Sequence, residues 1–105
     1  MSTKLFVEEI LPEQVSNKIK EGKVSSIIDV REHEEVEQGK IPGARHIPLG
    51  ELEERLHEIE SDKEHILVCR SGNRSGRAAE FLKDKGFKVK NMVGGMSEWK
   101  DDLER

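Results

Sequence analysis

The sequence predicts an α/β fold, a central parallel β-sheet with helices on both faces, from three observations. Short apolar runs recur along the chain and are continuous rather than alternating, as expected of strands buried on both sides. Segments with helical spacing and recognisable starts and stops lie between them. A length of 105 residues suits one core, so residues 1–105 are read as a single domain with right-handed strand–helix crossovers.

The runs are Leu5 to Val7, Val24 to Val30 with its Ile27-Ile28 pair, Ile66 to Val68, and Val89 to Val93. Pro12 to Glu21 reads as a helix: it opens on Pro and an early Glu, spaces Val15 and Ile19 for one face, collects Lys18 and Lys20 late, and stops at Gly22. Leu11 would be its N-cap, where an oxygen-bearing side chain is preferred. Glu32 to Gln38 reads as a short polar helical turn ending at Gly39, and Glu51 to Ile59 as a helix with Leu52, Leu56 and Ile59 on one face. Ser75 to Lys85 is the clearest helix, with Ala78, Phe81 and Leu82 aligned and Gly86 closing it. Two Ile-Pro pairs and two glycines make 39–48 an ordered loop with room for one short strand. A last helix is expected after Gly94-Gly95, including Trp99.

Composition sets limits on function. With 18 Lys+Arg against 22 Asp+Glu, the net charge is −4, which gives no general attraction for nucleic acid or an anionic membrane. The N-terminus lacks a signal-peptide layout, and no run approaches the roughly 18 apolar residues of a membrane span; the expected location is cytoplasmic. A single cysteine excludes an internal disulfide and a cysteine-based zinc site. His33, His46, His57 and His65 show no metal-ligand spacing, so neither a metal nor another cofactor is expected.

That cysteine stands in the most informative segment, Ile66-Leu-Val-Cys69-Arg-Ser-Gly-Asn-Arg-Ser75-Gly. An apolar strand ends at Cys69 and the best helix follows, so the thiol falls at the C-terminal edge of a sheet, beside a helix N-terminus with free N–H groups. Arg70 and Arg74 add positive charge, and the loop itself carries no carboxylate; together these features favour a thiolate. Gly72 permits a sharp turn, while Ser71, Asn73 and Ser75 are short polar residues able to supplement a cradle of amides around an anion. The competing reading is an inert cysteine ending a buried strand. Six residues without a large apolar side chain after Cys69 are poor core sequence, which favours the reactive thiol. Arg77, inside the helix, reads as solvated.

Over nearly its whole length the chain resembles a single-domain rhodanese, a thiosulfate sulfurtransferase. Ile27-Ile-Asp-Val-Arg-Glu32 resembles the strand and turn that open the family signature, and Glu35 to Ile47 its acidic-to-glycine segment with Ile-Pro-Gly-Ala and a second Ile-Pro. Val68-Cys-Arg-Ser-Gly-Asn-Arg-Ser75 resembles the active-site loop, and Gly94-Gly95 with Trp99 the closing motif. Lys40 and Val36 depart from the family, which often has His and an aromatic residue there.

The resemblance implies a mechanism. Cys69 would take a sulfane sulfur from thiosulfate or a low-molecular-weight persulfide and pass it to a thiol, to cyanide or to a protein sulfur acceptor, in ping-pong fashion. Arg70 and Arg74 would attract the donor, residues Ser71 to Ser75 would cradle the persulfide, and Asp29 and Arg31, at the end of a neighbouring strand, would brace the loop. Related cysteine phosphatases place five residues between nucleophile and arginine; here four intervene between Cys69 and Arg74, and Ser75 takes the phosphatase arginine position. A sulfur-relay or protein-binding module with little thiosulfate activity is the remaining alternative.

Overall fold

Side chains on successive strand residues point to opposite faces of a sheet, and here both faces are apolar. In the computed structural model, which describes residues 6–105, Ile27, Ile66 and Val68 join one buried cluster while Ile28, Leu67 and Cys69 join another. The continuous runs thus resolve into two period-two sets with a core on each side.

The elements are β1 (Glu8–Ile10), α1 (Pro12–Lys20), β2 (Ile27–Asp29), α2 (His33–Val36), β3 (Arg45–His46), β4 (Glu64–Val68), α3 (Asn73–Asp84) and β5 (Lys88–Met92). Short 3₁₀ turns occupy Leu49–Glu51, Glu53–Glu58 and Gly95–Glu98. All five strands are parallel, in the order β1-β5-β4-β2-β3. On one face α3 contributes Ala78, Ala79 and Leu82, with Leu52 and Ile59 beside them. On the other, α1 contributes Val15, the segment before β3 contributes Ile41 and Ala44, and Trp99 packs at the margin.

This order creates a switch point. From β4 the chain crosses one face to β5, and from β2 it crosses the other face to β3, so the loops leaving these adjacent strands part to opposite sides. Ligands in open α/β sheets bind in the crevice that such a divergence leaves at the strands' C-terminal ends. Asp29 pairs in register with Val68, which places the residue before Cys69 beside the end of β2.

Several expected elements differ. The first run was expected at Leu5 to Val7; Leu5 lies outside the described residues, and β1 begins only at Glu8. Its position is set by backbone pairing with β5, since Glu8 and Glu9 are exposed on this edge strand. The helix expected over Glu51 to Ile59 is instead a pair of 3₁₀ turns, kinked at Arg55 (φ −110°, ψ 16°). Leu49 and Leu52, like Leu56 and Ile59, are three apart, which suits three residues per turn; Leu52 and Ile59 are buried. The last helix is only the turn Gly95–Glu98, and Trp99 is already extended. At α1, Leu11 supplies no side-chain cap; Gln14 accepts from the Leu11 N–H at 2.8 Å instead. No helix among the described residues is long and apolar enough to cross a membrane.

Candidate active site

Cys69 follows β4 directly, and strand parity sends its side chain to the face covered by α3. The chain turns back at Gly72, whose φ of +100° disfavours any residue with a Cβ, and α3 begins at Asn73. The first turn of α3 is thereby aimed at the sulfur. Cys69 Sγ accepts the Gly72 N–H at 3.1 Å and lies 3.2 Å from the Ser75 hydroxyl.

The residue is 0% exposed, as an inert core cysteine would be, but its polar neighbours separate the two readings. Burial pushes the Cys69 thiol up; the Ser75 hydroxyl and the backbone N–H groups of Ser75, Gly72 and Ser71 pull it down, and the net shift is below the ordinary thiol value. Donors aimed at sulfur stabilise the thiolate more than the thiol.

Behind the loop stands Asn91, a buried amide on β5. Its Nδ2 donates to the Gly72 carbonyl at 3.1 Å, and its Oδ1 lies 2.6 Å from Ser75 Oγ, whose single proton serves either Asn91 Oδ1 or Cys69 Sγ. Asn91 therefore fixes both the turn and the hydroxyl that faces sulfur. Sequence reasoning missed it, although a polar side chain two residues after the buried Val89, on the same strand face, was the available signal. Ser75→Ala removes the hydroxyl donor. The Cys69 pKa is expected to rise, since a hydrogen bond donated to the charged form favours it. The pH dependence of iodoacetamide alkylation reads this directly.

Ser71 and Asn73 are exposed, so of the three short polar side chains only that of Ser75 reaches the sulfur. Arg70 is exposed and has no ion-pair partner among the described residues. Arg74 is not unopposed, as the loop sequence alone suggested. Glu35, from α2, binds it through both carboxylate oxygens at 2.7 and 2.8 Å.

Arg74 holds the Glu35 carboxyl at a pKa of about 2, well below its ordinary 4.5. Glu35→Gln is expected to cost on the order of 1–2 kcal/mol at neutral pH for this bidentate, partly buried pair. The folded pKa lies below the unfolded one, so the charge-dependent stabilisation is complete above pH 4.5 and is lost as pH falls through about 2. Urea unfolding midpoints of the parent and variant should converge across that window.

Asp29 and Arg31 pair with each other at 2.7 Å, both buried. Arg31 also donates to the carbonyls of Gly39 at 2.8 Å and Glu35 at 3.4 Å. The pair thus contacts the 35–39 segment rather than the cysteine loop itself, and its link to that loop runs through Glu35 and Arg74. Lys40, at a position of departure from the family, donates to Ala44 O and Glu104 Oε1, joining the C-terminal segment to this loop.

The sequence model of the rhodanese-like domain matches residues 11–102. The Bacillus subtilis protein named "Putative sulfurtransferase YtwF" is 40% identical over 98 residues, covering 93% of this chain and 95% of its own. "Putative sulfur carrier protein YrkF" of the same organism is 43% identical over 99 residues; the match covers 93% of this chain and 54% of that longer protein. A rhodanese-like domain protein from Staphylococcus aureus superposes with a TM-score of 0.88 at 34% identity, covering 93% of this chain and 97% of that one. The parallel sheet, the cysteine turn at its switch point and these matches together make the chain a member of the rhodanese-like domain family.

Proposed function

We propose that this protein is a sulfurtransferase carrying sulfur as a persulfide on Cys69. The observation that carries the reading is the polar cradle, with the Gly72 amide and the Ser75 hydroxyl facing a buried sulfur whose pKa is lowered. Sulfurtransferase and sulfur-carrier names among its relatives support the same class of chemistry.

In the first step the Cys69 thiolate attacks the outer sulfur of thiosulfate or of a small persulfide. The new S–S bond forms as the donor S–S or S–sulfonate bond breaks, and sulfite or a thiolate leaves with the electron pair. The persulfide anion on Cys69 is then stabilised by the loop amides, as an oxyanion is by preorganised donors. A thiol, cyanide or a protein thiolate attacks the outer sulfur in the second step and returns Cys69 to thiolate. No cofactor enters either step. The proposed compartment is the cytoplasm, whose reducing thiol pool keeps a lone cysteine free and supplies acceptors.

A relay role, with sulfur handed between proteins and little thiosulfate turnover, uses the same cradle. The pairing of Arg74 with Glu35 favours it, because that cation is already neutralised. Intact mass after donor treatment tests the shared chemistry. The parent protein should gain one sulfur atom and lose it to a reducing thiol, while Cys69→Ser should gain none and show no thiosulfate-to-cyanide transfer. Equal turnover by both proteins would remove the mechanism, and hydrolysis of an aryl phosphate would restore the phosphatase reading. Loading without thiosulfate-to-cyanide turnover would favour the relay.

A further inference from the structure

Arg74 lies in the first turn of α3, directly before Ser75, whose hydroxyl is 3.2 Å from Cys69 Sγ. Both ends of its guanidinium fork are occupied by Glu35, at 2.7 and 2.8 Å. The carboxylate is not loosely held: Glu35 Oε1 also accepts the Glu32 N–H at 3.0 Å, and the Glu35 carbonyl accepts from Arg31 at 3.4 Å. Asp29 cancels the charge of Arg31 in the same way. Of Arg70 and Arg74, the two arginines flanking the Gly72 turn, only Arg70 is left without an ion pair among the described residues.

Anionic donors should respond differently to such a loop. Thiosulfate brings two negative charges to a site that already holds a thiolate, and its sulfonate oxygens would need the fork that Glu35 fills, since bidentate pairing uses both arms of an arginine. An alkyl persulfide brings one charge at most and needs no fork.

We infer that Glu35 sets the donor class: by occupying Arg74 it biases Cys69 toward persulfides carrying at most one negative charge and against dianionic thiosulfate. The inference rests on the sulfur-transfer reading above. Glu35 acts through Arg74 and is a positioning residue; it does not touch the reacting sulfur.

Single-turnover loading of Cys69 in the full chain, followed by intact mass, tests this with thiosulfate and 2-hydroxyethyl persulfide as donors. Glu35→Gln should raise the thiosulfate-to-persulfide ratio of loading rates by about tenfold or more, the effect of uncovering one nearby unit charge. Glu35→Asp, which keeps the charge, should stay within about threefold of the parent ratio. In Arg70→Gln, which removes the exposed loop cation that has no ion pair among the described residues, thiosulfate loading should not slow with added salt, whereas an unneutralised Arg74 would still lose attraction on screening. A ratio unmoved by Glu35→Gln, or Arg70→Gln thiosulfate loading that falls steeply with salt, would overturn the inference while leaving sulfur transfer intact. Loading of the parent by neither donor would instead overturn the sulfur-transfer reading and this inference with it. The salt arm changes only exposed Arg70, so poor folding of Glu35→Gln leaves it decisive.

Discussion

Asp29→Ala is expected to destabilise the protein by about 3–5 kcal/mol, because it strands Arg31 as an uncompensated buried cation. Asp29 is 0% and Arg31 6% exposed. The Asp29 carboxylate accepts Arg31 Nε at 2.9 Å, Arg31 Nη2 at 2.7 Å and the Arg31 backbone N–H at 3.0 Å. A loss of that size is a large share of the roughly 5–15 kcal/mol that holds a domain together. Urea titration should show a much lower midpoint, with the slope preserved if unfolding stays two-state. Replacing both partners by apolar residues of similar volume, Asp29→Leu with Arg31→Met, should cost less than the single change, since no charge is then abandoned. A single variant within about 1 kcal/mol of the parent would show that water or another group compensates Arg31.

The consequence reaches the cysteine loop through contacts far apart in sequence. Arg31 holds the Glu35 and Gly39 carbonyls, Glu35 holds Arg74, and Arg74 lies in the first turn of α3. Loosening β2's end should therefore free the Glu35–Arg74 pair as well as lower global stability.

What could be read from sequence follows the range of the interaction. The continuous runs at Ile27-Ile28 and Ile66 to Val68 could be recognised as doubly buried parallel strands because parity and hydrophobicity are local properties, and the same parity puts Cys69 on the α3 side. The turn at Gly72 was equally local. The partner of Arg74 was not: Glu35 is 39 residues away in sequence and reaches it only because β2 and β4 are neighbours, an order that apolar runs do not encode. Edge strand β1 escaped correct placement for a related reason, since its exposed glutamates carry no hydrophobic pattern and only the β5 ladder defines it. The role of Asn91 depended on β5 lying next to the loop, although its polarity on the strand face of Val89 was visible from the start.

Gly95→Ala carries the other large expected effect, and its cause is backbone contact with the cysteine turn. A Cβ on Gly95 would lie 2.4 Å from the Cys69 carbonyl oxygen and 2.5 Å from both the carbonyl carbon and oxygen of Arg70. Those atoms cannot swing aside as a side chain can, because the Met96 N–H binds Cys69 O at 2.8 Å and the Ser97 N–H binds Arg70 O at 2.9 Å. Gly95 also has φ +58°, in the left-handed region. Overpacking and the backbone penalty together should cost on the order of 3 kcal/mol. Gly43→Ala separates the two contributions: Gly43 has φ +83° but nothing within 4 Å of an added Cβ, so it should cost only about 1 kcal/mol. Since the collision must move the peptide that follows Cys69, Gly95→Ala should also slow thiol alkylation and sulfur loading, whereas Gly43→Ala should leave both rates alone. Equal melting temperatures and equal thiol reactivity for the two variants would mean that the closing glycine turn does not hold the cysteine loop in place.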